Sequence, residues 1–118
     1  MKTRILYIEN HPVFAATAQD VFLSDCEITV TPDKTSAMTA LESNSFDLAL
    51  IDFDLDDCKG DEVTREIRVR FPQLKIIAVS SHAQGNAKIQ EAGAAAICGK
   101  MEFSKIRETI ERVLERPI

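Results

Sequence analysis

Three unbroken apolar runs, ILYI at 5–8, LALI at 48–51 and IIAV at 76–79, restrict this chain more than any other feature. A strand with one face in water alternates apolar and polar residues, whereas a run with no polar position suits a strand covered on both faces. Strand-length runs alternate with helical patterns about five times along the chain, which is the signature of βα units built around a parallel sheet. The expected strands are residues 4–8, 27–31, 48–52, 75–80 and 95–98, and the expected helices are about 12–23, 34–42, 61–71, 85–91 and 102–115. Pro12 suits a first helical turn, and Ser104 is a candidate cap for the last helix. In that helix Phe103, Ile106, Ile110, Val113 and Leu114 form one apolar stripe that must pack on the sheet. The fourth helix, GNAKIQEAG, offers little apolar area and is expected to be the element freest to shift.

A chain of 118 residues, 45% of them hydrophobic with four Gly and four Pro, suits one globular domain over 1–118 rather than a disordered or fibrous segment. Its net charge of −5 is unevenly spread. Residues 1–60 hold 4 basic and 11 acidic groups, and residues 61–118 hold 10 basic and 8 acidic. The small basic excess is scattered along helices, which argues against direct nucleic-acid binding. Cys26, Cys58 and Cys98 are odd in number and lack a CxxC spacing, so neither a disulfide framework nor a zinc site is expected. The sequence has no 18-residue apolar run and no leader-like start, and a reducing cytoplasmic setting without membrane insertion is the expectation.

In an open parallel sheet the chemistry gathers at the carboxyl ends of the strands. Glu9 and Asn10 follow the first strand, Asp52 ends the third, Ser80 and Ser81 the fourth, and Lys100 follows the fifth. Oxygens from Glu9, Asn10 and Asp52 can hold a hard divalent cation such as Mg²⁺. Lys100 adds a fixed positive charge, and the Ser80 hydroxyl can donate to a phosphoryl oxygen. Together they would let Asp52 act as a nucleophile toward phosphorus. Each residue alone suits a cap, a turn or a solvated surface position, so it is their joint placement at four strand ends that carries the reading.

The stretches ILYIEN, DLALIDFDLDDCKG, IIAVSS and GAAAICGK resemble the four landmarks of response-regulator receiver domains, over essentially the whole chain. The opening HPVF and a lysine not followed by proline are most similar to receivers of the NarL and LuxR-type group. The resemblance implies a flavodoxin-like (CheY-like) doubly wound α/β fold, with five parallel strands in the order 2-1-3-4-5 and five helices. It implies that Asp52 is the phospho-acceptor, fed by a sensor histidine kinase or phosphotransfer protein, with Ser80 as the switch hydroxyl and Lys100 as the motif lysine. Glu9 and Asn10 fall on the Mg²⁺-binding pair, the backbone carbonyl of Asp54 on a third protein ligand, and Gly60 on the loop glycine. Output is implied through the face of helix four, strand five and helix five, toward an output domain, a downstream protein or a second copy of the chain.

The sequence departs from that pattern at specific places. Asn10 replaces an acid that usually touches the metal, and a neutral amide gives up Coulomb attraction for Mg²⁺. Asp56 stands where a proline is common, and Asp56 and Asp57 read as a solvated acidic loop. Ile97 stands where many receivers carry a rotating Tyr or Phe. His82 borders access to the acceptor but reads as an exposed turn residue, and His11 as part of the helix entry. Two other readings compete: a receiver-like interaction module with weakened phosphate control, and a stand-alone hydrolase, against which the lack of an evident lid argues.

Overall fold

The computed structural model describes residues 2–118; Met1, the first residue of the expected domain span, lies outside the described residues. Five strands, β1 (Arg4–Ile8), β2 (Glu27–Thr31), β3 (Leu48–Ile51), β4 (Lys75–Ala78) and β5 (Ala96–Ile97), form one sheet in the order β2-β1-β3-β4-β5. All four pairings are parallel; Ile5 stands against Ile28 on one side and Leu48 on the other. Strand order reverses at β1, which places a crevice between the carboxyl ends of β1 and β3.

Successive strand residues project to opposite faces, and this sorts the apolar runs into two cores. Ile5, Tyr7, Leu48, Leu50 and Ile77 meet Ala15 of α1 (Pro12–Thr17) and Ile106 and Ile110 of α5 (Ile106–Leu114). Leu6, Ile8, Ala49, Ile51 and Ile76 meet Met38 of α2 (Lys34–Ser43), Val63 and Ile67 of α3 (Gly60–Arg70) and Ile89 of α4 (Ala83–Glu91). The central strand residues are fully buried, each worth about 1.5–3 kcal/mol relative to exposure. Truncating Ile51 or Ile77 to Ala would remove that burial and leave a cavity, a loss of about 2–5 kcal/mol.

Several boundaries differ from the sequence expectation. The strands β3 and β4 end at Ile51 and Ala78, so Asp52 and Ser80 sit just past the ladder. The first helix is α-helical only to Thr17 and continues as a π-helical turn over Ala18–Phe22. There Phe22, like Phe14, sets its ring edge-on to Phe103, with centroids 5.6 and 5.2 Å apart. The last helical segment begins early, as a 3₁₀ turn over Lys100–Lys105, and Ser104 lies inside it without capping α5. Helix α4 is better held than its polarity suggests, because Gly85, Asn86 and Ile89 are buried on its inner face. A Cβ on Gly85 would come within 2.5 Å of the Phe53 ring, so this position needs glycine for α4 to lie this close.

Candidate functional site at the carboxyl ends of the strands

Glu9, Asn10, Asp52, Ser80 and Lys100 lie at the carboxyl end of this sheet, as the sequence suggested. Backbone bonds set the two acids: Glu9 N–H donates to the Thr31 carbonyl at 2.8 Å and Asp52 N–H to the Ile8 carbonyl at 3.0 Å. Both carboxylates are almost wholly buried, Glu9 at 1% and Asp52 at 3% exposure. The Lys100 ammonium lies 2.9 Å from Glu9 Oε1 and 3.6 Å from Asp52 Oδ2. It reaches them because the Lys100 N–H bonds the Ser80 carbonyl at 3.3 Å, which starts the 3₁₀ turn beside the site.

Two buried carboxylates face one ammonium, and this imbalance dominates the local electrostatics. Burial pushes the Asp52 carboxyl above the usual range, the neighbouring Glu9 charge pushes it the same way, and Lys100 only partly opposes them. Glu9 has further partners. Tyr7 O–H donates to its Oε1 at 3.2 Å, the His11 N–H donates to Oε2 at 3.1 Å, and the His11 ring Nδ1 lies 2.9 Å from Oε2. Burial, followed by the Glu9 charge, pushes the Tyr7 phenol upward, so it stays protonated and remains a donor.

Asn10 makes one side-chain bond, from Nδ2 to Asp56 Oδ1 at 3.2 Å, while its Oδ1 is buried without a hydrogen-bond partner. A buried amide oxygen normally has a partner, and this one follows Glu9 directly in the chain, at the end of the sheet where two buried carboxylates share one ammonium. The donor chemistry of Asn10, Asp52 and the Asp54 carbonyl is all oxygen, which suits a hard cation. One oxygen each of Glu9 and Asp52 and one His11 ring nitrogen lie within 4.8 Å of one another. The set fits Mg²⁺.

The acidic loop is more structured than a solvated reading suggested. Asp57 accepts from the N–H groups of Lys34 and Thr35 at 2.9 and 3.2 Å, so it caps α2 together with Asp33. Asp56 accepts from Asn10. The Asp54 carboxylate pairs with Lys59 at 2.5 Å. Gly60 allows this loop to close on Asp52: a Cβ there would sit 2.3 Å from the Asp52 carbonyl oxygen.

Ser80 is 3% exposed, and its Oγ accepts the His82 N–H at 3.1 Å. His82 stands just before α4 with its ring 6.0 Å from that of Phe53, and it remains exposed. Ser81 is exposed as well. Ile97 is 38% exposed on β5, and Met101 beside it is 92% exposed. Burial pushes the Cys58 thiol up to about 12, so it is an inert loop thiol, and Cys98 is a core residue. A 400 Å³ apolar groove lies at the opposite end of the sheet, lined by Leu41, Phe46 and Phe71, away from these acids.

Sequence reasoning missed three participants. Tyr7 was legible as the residue with a polar tip inside the run ILYI, two positions before Glu9 and therefore on its face. His11 was placed at the helix entry, which is correct, but its ring also meets Glu9. Asn86 gave only a weak signal, an amide three residues before the apolar Ile89.

A doubly wound parallel sheet that gathers two acids, a hydroxyl and a lysine at its carboxyl end defines an α/β module with its polar crevice where such folds bind ligands. Residues 5–111 match the family model described as response regulator receiver domain, and the chain belongs to that family. Sensor protein TorS of Escherichia coli (strain K12) is 32% identical over 81 residues, 67% of this chain. The matched part is only 9% of that protein's length. A CheY-like receiver domain protein from Methanospirillum hungatei JF-1 superposes with a TM-score of 0.87 at 23% identity, covering 98% of this chain and 95% of that one. A LuxR-family two-component response regulator from Aurantimonas sp. SI85-9A1 gives 0.83 at 21% identity, covering 100% of this chain and 90% of that one. No helix among the described residues is long and apolar enough to cross a membrane.

Proposed function

We propose that residues 1–118 form one receiver domain in which Asp52 accepts a phosphoryl group from the phosphohistidine of a sensor kinase or phosphotransfer protein, or from a small phosphodonor. An Asp52 oxygen forms the new bond to phosphorus as the donor's bond breaks: P–N in a phosphohistidine, with its electron pair returning to the imidazole, or P–O in an acyl phosphate, with the pair leaving on the carboxylate. The observation that carries this reading is the under-neutralised acid pair: Glu9 and Asp52, both buried, share a single ammonium. Burying such a charge is costly unless it is paired, so the arrangement suits a site completed by a cation and an incoming phosphoryl group.

Lys100 lies where it can neutralise one side of the phosphoryl group, and the Ser80 hydroxyl can donate to one of its oxygens. Glu9, Asn10, Asp52 and the Asp54 carbonyl would hold Mg²⁺, which supplies positive charge to the phosphoryl oxygens when bound. Tyr7 and His11 keep Glu9 oriented. The domain then acts as a signalling switch and not as a turnover enzyme: its phosphorylated form favours one conformer of the face of α4, β5 and α5, which a fused or separate output partner reads.

Beryllofluoride with Mg²⁺ tests the site directly by NMR. The expected result is a saturable fluorine signal with shifts at Ser80 and Lys100, absent from Asp52→Asn. A wild-type spectrum unchanged by the additions, alongside a control receiver that responds, would reject the proposal. The second reading, a receiver-like module with weak phosphate control, is favoured by the neutral Asn10. Asn10→Asp separates the two: a large gain in Mg²⁺ affinity and adduct formation would mark Asn10 as the limiting residue.

A further inference from the structure

Just beyond β4, where the sheet ladder has ended, the backbone of Ser80 is still fully hydrogen-bonded. Its N–H donates to Asn86 Oδ1 at 2.9 Å, and its carbonyl accepts from Asn86 Nδ2 at 2.8 Å. A primary amide carries the same donor and acceptor pair as a peptide group, so Asn86 closes on Ser80 as a neighbouring strand residue would. The clamp is buried, with Asn86 at 4% exposure and Ser80 at 3%. Asn is a poor residue for a helix interior, because its side chain competes for backbone partners. In α4 both of its polar groups are spent on one residue of another element.

The Ser80 carbonyl also receives the Lys100 N–H, so a single peptide unit joins α4, the Lys100 turn and the end of β4. Three residues further along α4, Ile89 is fully buried in the core beside Ile51 and Ile76. The helix is therefore held at two points on one face. The apolar one belongs to the fold, and the polar one touches Ser80, which lies at the carboxyl end of the sheet with Asp52 and Lys100.

We infer that Asn86 is a positioning residue that fixes the Ser80 hydroxyl and couples its displacement to α4. The inference rests on the proposed role of Ser80 at the phosphoryl group. When Ser80 moves toward an adduct on Asp52, the two amide bonds must either carry α4 with it or break. Ile97, on the neighbouring strand, is aliphatic, so the polar link from the site to α4 runs through the amide clamp and through the His82 N–H that Ser80 Oγ accepts at the start of the helix.

Asn86→Ala removes both bonds, and Asn86→Asp retains only the acceptor for the Ser80 N–H; either serves if the other fails to fold. Amide hydrogen exchange in the free protein is the first readout. Ser80 N–H protection is expected to fall about tenfold, the factor matching one net hydrogen bond, with β1 and β3 amides unchanged. The second is a split in affinity: beryllofluoride binding weakens about tenfold while Mg²⁺ binding without fluoride is retained, and adduct-induced shifts in α4 shrink relative to those at Ser80. Unchanged Ser80 protection overturns the inference, as does a parallel loss of Mg²⁺ and beryllofluoride binding, which would mean general collapse of the site. If the wild type itself gives no adduct, the phospho-acceptor reading of Asp52 fails instead, and the exchange comparison still decides whether the clamp exists.

Discussion

The two ends of this sheet treat charge in opposite ways. At the amino end, Asp47 accepts the Arg4 N–H at 2.7 Å and pairs with Arg116 at 3.4 Å, and Arg4 faces Glu27 at 3.5 Å, all with side chains open to water. At the carboxyl end, Glu9 and Asp52 are buried with only Lys100 between them. Exposed pairs are nearly neutral for stability, whereas buried carboxylates carry a desolvation cost that a fold does not need. The carboxyl end therefore holds a charge arrangement that packing does not require, and the amino end one that water screens.

The largest effect that follows is at Lys100. Replacing it by Met strands two buried carboxylates without a countercharge, and chemical denaturation is expected to show a loss of about 3–5 kcal/mol. A loss below about 1 kcal/mol would show that solvent already screens the site, and the contrast between the ends would break.

Asp52→Asn works in the opposite direction and is expected to stabilise the protein at neutral pH by about 1 kcal/mol, as at other strained functional sites. The sign follows from linkage. Folding raises the Asp52 pKa, so the folded state binds that proton more tightly than the unfolded chain. Stability contributed by this group is full below the ordinary carboxylate pKa and is lost as pH rises through the raised value. The gap between variant and wild type should therefore close on acidification toward the ordinary carboxylate range, which melting curves against pH would reveal. A gap that widens in acid would contradict the raised pKa.

Much of this contrast was legible in the residues. The aliphatic runs gave the parallel sheet because nothing in them can face water, and the polar residues ending each run gave Glu9, Asn10, Asp52, Ser80 and Lys100. Contacts formed between distant segments were not legible. Asp57 reads locally as one more acid in DLDD, and only the approach of α2 makes it a cap for Lys34 and Thr35. Asn86 reads as a helix-weakening polar residue, and only the end of β4 turns it into a clamp. Boundaries slipped for a related reason: Asp52 and Ser80 continue their strands in sequence but have left the ladder, where their side chains serve the site.

The smallest effect belongs to the amino end. Arg116→Ala is expected to change stability by less than about 0.5 kcal/mol at moderate salt, because its partner Asp47 stays solvated. A change comparable to that of Lys100→Met would erase the distinction between the two ends.

The most direct measurement of the central claim is phosphorylation itself. Intact-mass spectrometry after incubation with acetyl phosphate and Mg²⁺, followed by peptide mapping, should show one phosphoryl group per chain, carried by Asp52 and lost in Asp52→Asn or when the metal is chelated. An unmodified wild-type chain beside a control receiver that is phosphorylated, or a modification that persists in Asp52→Asn, would contradict the account.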